Sequence, residues 1–129
     1  MAGFMRPYAS HTYALLRIIA GLLFLSHGLQ KVFGLFGGAP AEAPRLIVYG
    51  AGGIELVAGA LIAVGLFTRW AAFIASGEMA VAYWMAHGTH AFHPLVNKGE
   101  LAVLYCFIFL FIAAHGPSIW SLDAGRGDR

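Results

Sequence analysis

Long apolar runs, separated by short stretches rich in glycine, proline and charge, dominate the sequence. Four of the runs are long enough for transmembrane helices, since a helix needs about 20 mostly apolar residues to cross the hydrocarbon core of a bilayer. We predict these spans at about residues 12–32, 46–67, 69–87 and 99–116. The pattern therefore predicts one all-α domain over residues 1–129, an integral membrane four-helix bundle.

The connecting segments contain residues that stop helices. The first segment is punctuated by Gly37, Gly38, Pro40 and Pro44. Thr68 is predicted to be the N-cap of the third helix, because its hydroxyl can accept a hydrogen bond from a free backbone N–H. The turn before it is then very short, which makes helices two and three antiparallel neighbours. Gly116 and Pro117 are predicted to end the fourth helix, and the polar tail from Asp123 onward is predicted to be mobile.

Composition supports a membrane environment. Of 129 residues, 60% are hydrophobic and 11% are charged, whereas soluble domains are about 25% charged. A small water-facing domain could not cover so much apolar surface, so we expect the lipid bilayer as partner. A formal net charge of +2 gives no indication of nucleic-acid binding. Cys106 is the single cysteine, so the chain alone holds no disulfide or dithiol pair.

The orientation follows from the basic residues. With four spans, both termini lie on one side of the membrane, together with Arg6, Arg69, Arg126 and Arg129. The opposite side carries Lys31, Arg45 and Lys98. Because cytoplasmic segments carry the excess of Lys and Arg, this distribution favours cytoplasmic termini. The oligomeric state is left open.

Three charged residues, Arg17, Glu55 and Glu78, lie so deep inside the predicted spans that snorkelling to the membrane surface does not easily explain them. A charge at membrane depth costs about 2.5–3.5 kcal/mol on the insertion scale and usually faces a bundle interior. Each of the three shares a helix face with small residues, which let membrane helices approach closely. We therefore expect Arg17 to meet Glu55 and Glu78, with one carboxyl protonated because two acids face one cation. The three are candidates for ligand binding or proton relay, or else they only hold the helices together.

A second polar group is predicted near the opposite membrane surface. His27 and Lys31 are one helical turn apart, and Glu100 begins the fourth helix at a similar depth. We interpret Lys31 and Glu100 as an interfacial ion pair.

No metal site is predicted. The spacing of His87, His90 and His93 would align three imidazoles on a helix, and imidazole is a common ligand of transition metals. Gly88 and Pro94 interrupt any such helix, and no Cys or carboxylate joins the set. We therefore interpret these histidines as part of a solvated loop.

The order and spacing of several short motifs resemble the DoxX family. The resemblance extends from about Leu15 to Leu122. It is carried by Leu16-Arg17, Gly21, Phe24, His27-Gly28, Lys31, Gly52-Gly53-Ile54-Glu55, Gly59, the segment from Gly65 to Ala72, and Gly99-Glu100.

The resemblance implies a multi-pass protein of the bacterial inner membrane. Relatives in the family are linked to a membrane-associated oxidoreductase complex, and the related DoxD proteins are subunits of a thiosulfate:quinone oxidoreductase. This sequence has no evident redox centre and no covalently bound cofactor. The resemblance therefore implies a non-catalytic subunit that binds a quinone or similar small ligand, or that anchors a soluble or membrane oxidoreductase partner. The alternative is a scaffold protein whose buried charges only fix helix packing.

Overall fold

The structure is a computed structural model that describes residues 3–128, so Arg129 of the charge count lies outside the described residues. Within this range the chain is helical and contains no strand. A short 3₁₀ turn, Arg6–Tyr8, leads into the first helix, and a π-helical turn, Trp84–Gly88, continues the third. The α-helices are α1 (Ala9–Phe33), α2 (Arg45–Val64), α3 (Thr68–Tyr83), α4 (Pro94–Asn97), α5 (Glu100–His115) and α6 (Leu122–Gly125).

The predicted all-α class is confirmed, and the four long helices coincide with the four predicted spans. Two segments are long and apolar enough to cross a membrane by themselves, Arg6–Phe33 with 28 residues and Arg45–Val64 with 20. Helix α5 is equally apolar in character but has only 16 residues. The sequence did not indicate α4 and α6, two four-residue helices in the segments predicted to be loop and mobile tail.

Helices α1 and α2 pack so closely that their backbones touch at glycine positions. A Cβ atom placed on Gly59 would lie 2.6 Å from the backbone nitrogen of Leu25. One placed on Gly28 would lie 2.6 Å from the backbone nitrogen of Leu56. Neither distance is possible for a real side chain. The glycines therefore permit an approach that any other residue would block, which is how small residues promote helix association in membranes.

The core is filled mainly by aromatic rings that lie between the helices. Phe24 of α1 and Phe109 of α5 are completely buried, with their ring centroids 4.8 Å apart. Tyr105, one turn earlier on α5, stacks on Phe109 with a centroid distance of 5.4 Å. Helix α3 contributes small buried residues, Ala72 and Ala75, to the same cluster. Small residues opposite large rings allow close van der Waals contact, on which association in lipid depends.

The segment after α5 folds back and caps α3, so the prediction of a mobile tail was wrong for its first residue. Asp123 is only 4% exposed. Its carboxylate accepts hydrogen bonds from the backbone nitrogens of Phe67 (3.0 Å) and Thr68 (2.9 Å) and from the Thr68 hydroxyl (2.9 Å). Thr68 is thus the first residue of α3 rather than its N-cap, and the capping oxygens come from the other end of the chain.

The environment of Asp123 also fixes its charge. Burial alone would raise the pKa of this carboxyl. The hydrogen bonds from Thr68 and Phe67, together with the positive charge of Arg126, outweigh burial and lower the pKa below its usual value. Asp123 is therefore an anion at neutral pH, held at the N-terminus of α3, where the helix dipole also favours negative charge.

We predict that Gly59→Ala destabilises the protein by about 1–3 kcal/mol, the usual cost of overpacking a tight contact. The added methyl group would force the backbones of α1 and α2 apart. Gly53→Ala on the same helix is the matched control, because a Cβ atom placed on Gly53 would meet nothing within 4 Å among residues 3–128 beyond the nearby backbone of its own helix, and alanine favours helix formation. Denaturant unfolding in detergent micelles measures both variants, and equal stability of the two would contradict the packing described.

Candidate functional site

Arg17 is completely buried and is bound entirely by backbone carbonyl groups. Its Nε donates to the carbonyl of Ile62 (3.0 Å), near the end of α2. Its Nη1 donates to the carbonyls of Pro117 and Ile119, and its Nη2 to that of Trp120 at 2.6 Å. The guanidinium group thus ties α1 to the C-terminal end of α2 and to the segment after α5. Its planar set of five donors suits this arrangement.

The predicted contact of Arg17 with Glu55 and Glu78 is therefore wrong. The reason is the axial position of the residues rather than the helix face on which they lie. Arg17 lies beside Ile62, seven residues beyond Glu55. This separation corresponds to about 10 Å along α2, at a rise of about 1.5 Å per residue. A side chain of α1 that reaches Glu55 has to lie farther along α1, toward the C-terminal end of the helix.

Lys31 is the residue of α1 that reaches Glu55. Its Nζ lies 2.8 Å from Oε1 and 2.6 Å from Oε2 of that carboxylate. Glu55 is completely buried, whereas the Lys31 side chain is 28% exposed. The predicted Lys31–Glu100 ion pair is therefore wrong, and Glu100 is exposed at the start of α5. The buried carboxylate of Glu55 competes better for the ammonium group because attraction between charges is stronger away from water.

Glu78 lies beside this ion pair. Its carboxyl is within hydrogen-bonding reach of Glu55 and also experiences the charge of Lys31. Its Oε1 is buried and has no hydrogen-bond partner among residues 3–128. Two of the three residues predicted as a cluster, Glu55 and Glu78, thus do meet, but their cation is Lys31.

A cavity of about 260 Å³ opens beside Glu55, enclosed by α1, α2, α3 and α5. Apolar residues form much of its wall, including Phe24, Met79 and Leu101. Arg17 and Glu100 are not among its lining residues. Its polar or ionisable lining residues come from both predicted clusters, from the π-helical turn, from the residues before α5 and from α5 itself: His27, Lys31, Glu55, His87, Lys98 and Tyr105.

Tyr105 lines this cavity and was not identified by sequence analysis, nor was His87, which was assigned to a solvated loop, or Lys98. The side chain belongs to the core and is 5% exposed, yet its hydroxyl has no hydrogen-bond partner in the described part of the chain. His27 packs against its ring, edge to face, with a centroid distance of 5.9 Å. Because Tyr105 lines the cavity, its hydroxyl is available to bond a ligand as donor or acceptor. The signal in the sequence was the four-residue step from Tyr105 to Phe109, which places the hydroxyl on the interior face of α5.

The loop between the π-helical turn and α5 is ordered by hydrogen bonds. Asn97, 6% exposed, donates to the Tyr83 hydroxyl and to the carbonyl of Ala91, both at 2.9 Å. His87 Nδ1 lies 3.1 Å from the carbonyl oxygen of Asn97. His93 caps α4 by accepting from the backbone nitrogen of Leu95. The histidines thus have separate positions, and no group of three metal-ligating side chains forms within residues 3–128.

Comparison with known proteins identifies a family. The sequence profile of the DoxX family matches residues 12–88. An uncharacterized protein of Haemophilus influenzae is 40% identical over 127 residues, which cover 92% of this chain and 93% of the relative. An uncharacterized membrane protein of Mycobacterium tuberculosis is 30% identical, with 84% of this chain and 77% of the relative covered. No solved structure matches the chain.

The ion pair leads to a prediction that separates Lys31 from Arg17. Lys31→Met should cost about 3 kcal/mol or less, since breaking a fully buried pair costs about 3–5 kcal/mol and Lys31 is partly exposed. Adding Glu55→Gln should recover much of the loss, because the isolated buried charge is then removed.

Arg17→Met provides the control for this prediction. Combined with Glu55→Gln, it should be additive within about 0.5 kcal/mol, as expected of residues that share no partner. Double-mutant cycles of the free energy of unfolding measure both pairs. Coupling in the Arg17 cycle and none in the Lys31 cycle would show that the ion pair is assigned to the wrong cation.

Proposed function

The chain belongs to the DoxX family of membrane proteins, and we propose that its cavity binds the head group of a small amphipathic ligand. The candidate ligand is a quinone. The protein then serves as a non-catalytic ligand-binding or anchoring subunit of a membrane-associated oxidoreductase system, as its family resemblance implies. The observation that carries the proposal is Tyr105, a buried residue that lines the cavity and whose hydroxyl makes no hydrogen bond with the described residues.

The chemistry of the cavity suits a flat ring that carries carbonyl oxygens. The Tyr105 hydroxyl can donate one hydrogen bond, and the Lys31 ammonium group has a third proton beyond the two that it directs at Glu55. The rings of Phe24 and Tyr105, 5.5 Å apart at their centroids, provide an apolar wall. A few placed polar groups in a mostly apolar pocket are typical of sites for small molecules.

The size of the cavity also restricts the ligand. Sites for drug-sized molecules enclose about 300–1,000 Å³, and this cavity encloses about 260 Å³. It can hold a single ring with small substituents but not a long tail. An amphipathic ligand would therefore place its head among α1, α2, α3 and α5 and leave its apolar tail in the lipid.

A role as subunit rather than catalyst agrees with the absence of an evident redox group in the sequence. Cys106 is the single cysteine, and its Sγ lies 3.6 Å from the Ser76 hydroxyl within the helix interface. A single thiol has no neighbour with which to form a disulfide. Electrons would have to come from or go to another protein, soluble or membrane-bound.

The alternative function, a scaffold whose buried charges only fix helix packing, is favoured by one observation. Every nitrogen of the Arg17 guanidinium group donates to a backbone carbonyl. Arg17 therefore has a sufficient structural role, and we no longer propose it as a ligand-binding residue. The same explanation does not extend to Tyr105, which makes no hydrogen bond with the described residues.

Binding of a short-chain ubiquinone tests the proposal. Tyr105→Phe removes only the hydroxyl and should weaken binding about 5- to 10-fold, the value of one hydrogen bond of about 1 kcal/mol. Tyr49→Phe is the matched control, because Tyr49 is exposed on α2 and should bind like wild type. Titration of the purified protein, with native mass spectrometry for ligands that co-purify, measures the effect. Equal binding by both variants would contradict a ligand contact at Tyr105, and no binding by wild type would favour the scaffold alternative.

We further propose that the protein spans the bacterial inner membrane four times, with both termini in the cytoplasm. The π-helical turn lengthens α3 to Gly88, which helps it to cross. Helix α5, about 24 Å long at 1.5 Å per residue, is shorter than the roughly 30 Å hydrocarbon core, a mismatch that local thinning of the bilayer can absorb. A reporter fused after Asp128 should be cytoplasmic, and one inserted within residues 34–44 should be periplasmic. Detection of both in the same compartment would exclude this topology.

A further inference from the structure

We infer that Glu78 is a proton-binding site in the interior of the helix bundle. Glu78 holds a proton that it shares with Glu55, while Lys31 neutralises the Glu55 carboxylate. The inference stands on the contacts of these three residues. It deepens the proposed function, because a proton on Glu78 can exchange with the cavity through Glu55. It rests on the proposed function only in what it says about a ligand.

Lys31 and Glu55 form an ion pair that is balanced in charge. The ammonium group of Lys31 contacts both oxygens of Glu55, at 2.6 and 2.8 Å. Glu55 is completely buried, so this contact is its main compensation for the loss of water. One cation is thereby matched to one anion, so a second ionised carboxylate beside the pair would leave the three groups with a net charge of −1.

The carboxyl group of Glu78 lies beside this ion pair. It lies within hydrogen-bonding reach of Glu55, and its buried Oε1 has no partner among residues 3–128. Two ionised carboxylates can only accept hydrogen bonds, and like charges at such a site oppose each other. A proton on Glu78 removes the second negative charge and provides a donor to Glu55. This single proton therefore removes the repulsion between two anions and supplies the missing hydrogen-bond donor.

The surrounding groups offer no substitute for the proton. Helix α1 presents Lys31, which is already paired, and His27, whose imidazole lies near Glu55. Tyr105 of α5 experiences the charge of Glu55, and α2 contributes Glu55 itself. Arg17 is committed to backbone carbonyls at the other end of the bundle. Among the described residues, Lys31 is thus the cation that acts on Glu78.

The arrangement connects the proton to the cavity. Glu55 lines the cavity, and Glu78 of α3, which is not among the lining residues, interacts with Glu55. A ligand that draws Lys31 toward itself would leave Glu55 without its cation, and the proton shared with Glu78 would then stabilise the two carboxyls. If a ligand exchanged a proton with Glu55, Glu78 would be the neighbouring group that exchanges a proton with Glu55 in turn. Glu78 therefore acts as a positioning residue for Lys31 and Glu55 rather than as a ligand contact.

Infrared spectroscopy of the ligand-free protein tests the inference. Wild type at neutral pH should show the C=O stretching band of a protonated carboxylic acid. Glu78→Gln should lose the band. Glu55→Gln should lose it as well, because Lys31 would then pair with an ionised Glu78. Glu100→Gln is the matched control, since Glu100 is exposed at the start of α5, and should keep the band.

The pH dependence of thermal unfolding is the second measurement. Raising the pH removes the proton from Glu78 and places a second anion beside Glu55, so the wild-type melting temperature should fall. In Glu78→Gln, which stays neutral, this fall should be lost. No acid band in wild type, a band that persists in Glu55→Gln, or an unchanged pH dependence in Glu78→Gln would each overturn the inference. If Glu78→Gln does not fold, the spectra of wild type and Glu55→Gln decide.

Neither measurement uses a quinone. A protein that fails to bind short-chain ubiquinone but shows the acid band would contradict the proposed function alone. A protein that binds ubiquinone but shows no acid band would contradict the proton site alone.

Discussion

The backbone contact between α1 and α2 is the constraint on which the positions of all the buried charges depend. Gly28 and Gly59 bring the two backbones together at points where a Cβ would lie 2.6 Å from a backbone nitrogen. Such contacts permit little sliding of one helix along the other. Once the register is fixed, Lys31 is at the level of Glu55, and Arg17 is at the level of Ile62. The choice of ion pair is therefore a consequence of glycine packing.

Because of this register, the two interior cations lie at opposite ends of the bundle and bind different groups. Arg17 has five donors in a rigid plane, which suits several carbonyl groups from separate segments. At that end Asp123 caps α3, so one cation and one anion organise the backbone near the termini. Lys31 is a compact charge on a flexible stem, which suits a single carboxylate. The end that contains the cavity thus has the more mobile cation, and the other end has the rigid one.

Much of the fold could be predicted from the sequence, whereas the pairing of charges could not. The apolar runs indicated the four long helices to within a few residues, and the interior positions of Arg17 and Glu55 followed from helical spacing. Spacing identifies a helix face but not an axial level, and Arg17 and Lys31 lie on the same face of α1. Either could have met Glu55. The decision depends on tertiary contacts at Gly28 and Gly59, and the capping by Asp123 depends likewise on a contact 55 residues distant in the chain.

Helix packing alone does not explain the carboxyl group of Glu78. Lys31 and Glu55 already form a complete ion pair, and a methionine or leucine in place of Glu78 would fill the helix interface without a buried oxygen that lacks a partner. A second carboxylate at this point costs free energy and contributes no contact that packing requires. Such groups are concentrated at sites where a proton or a ligand is bound. The scaffold alternative accounts for Arg17, whereas Glu78 and the Tyr105 hydroxyl favour a site that binds something other than the helices themselves.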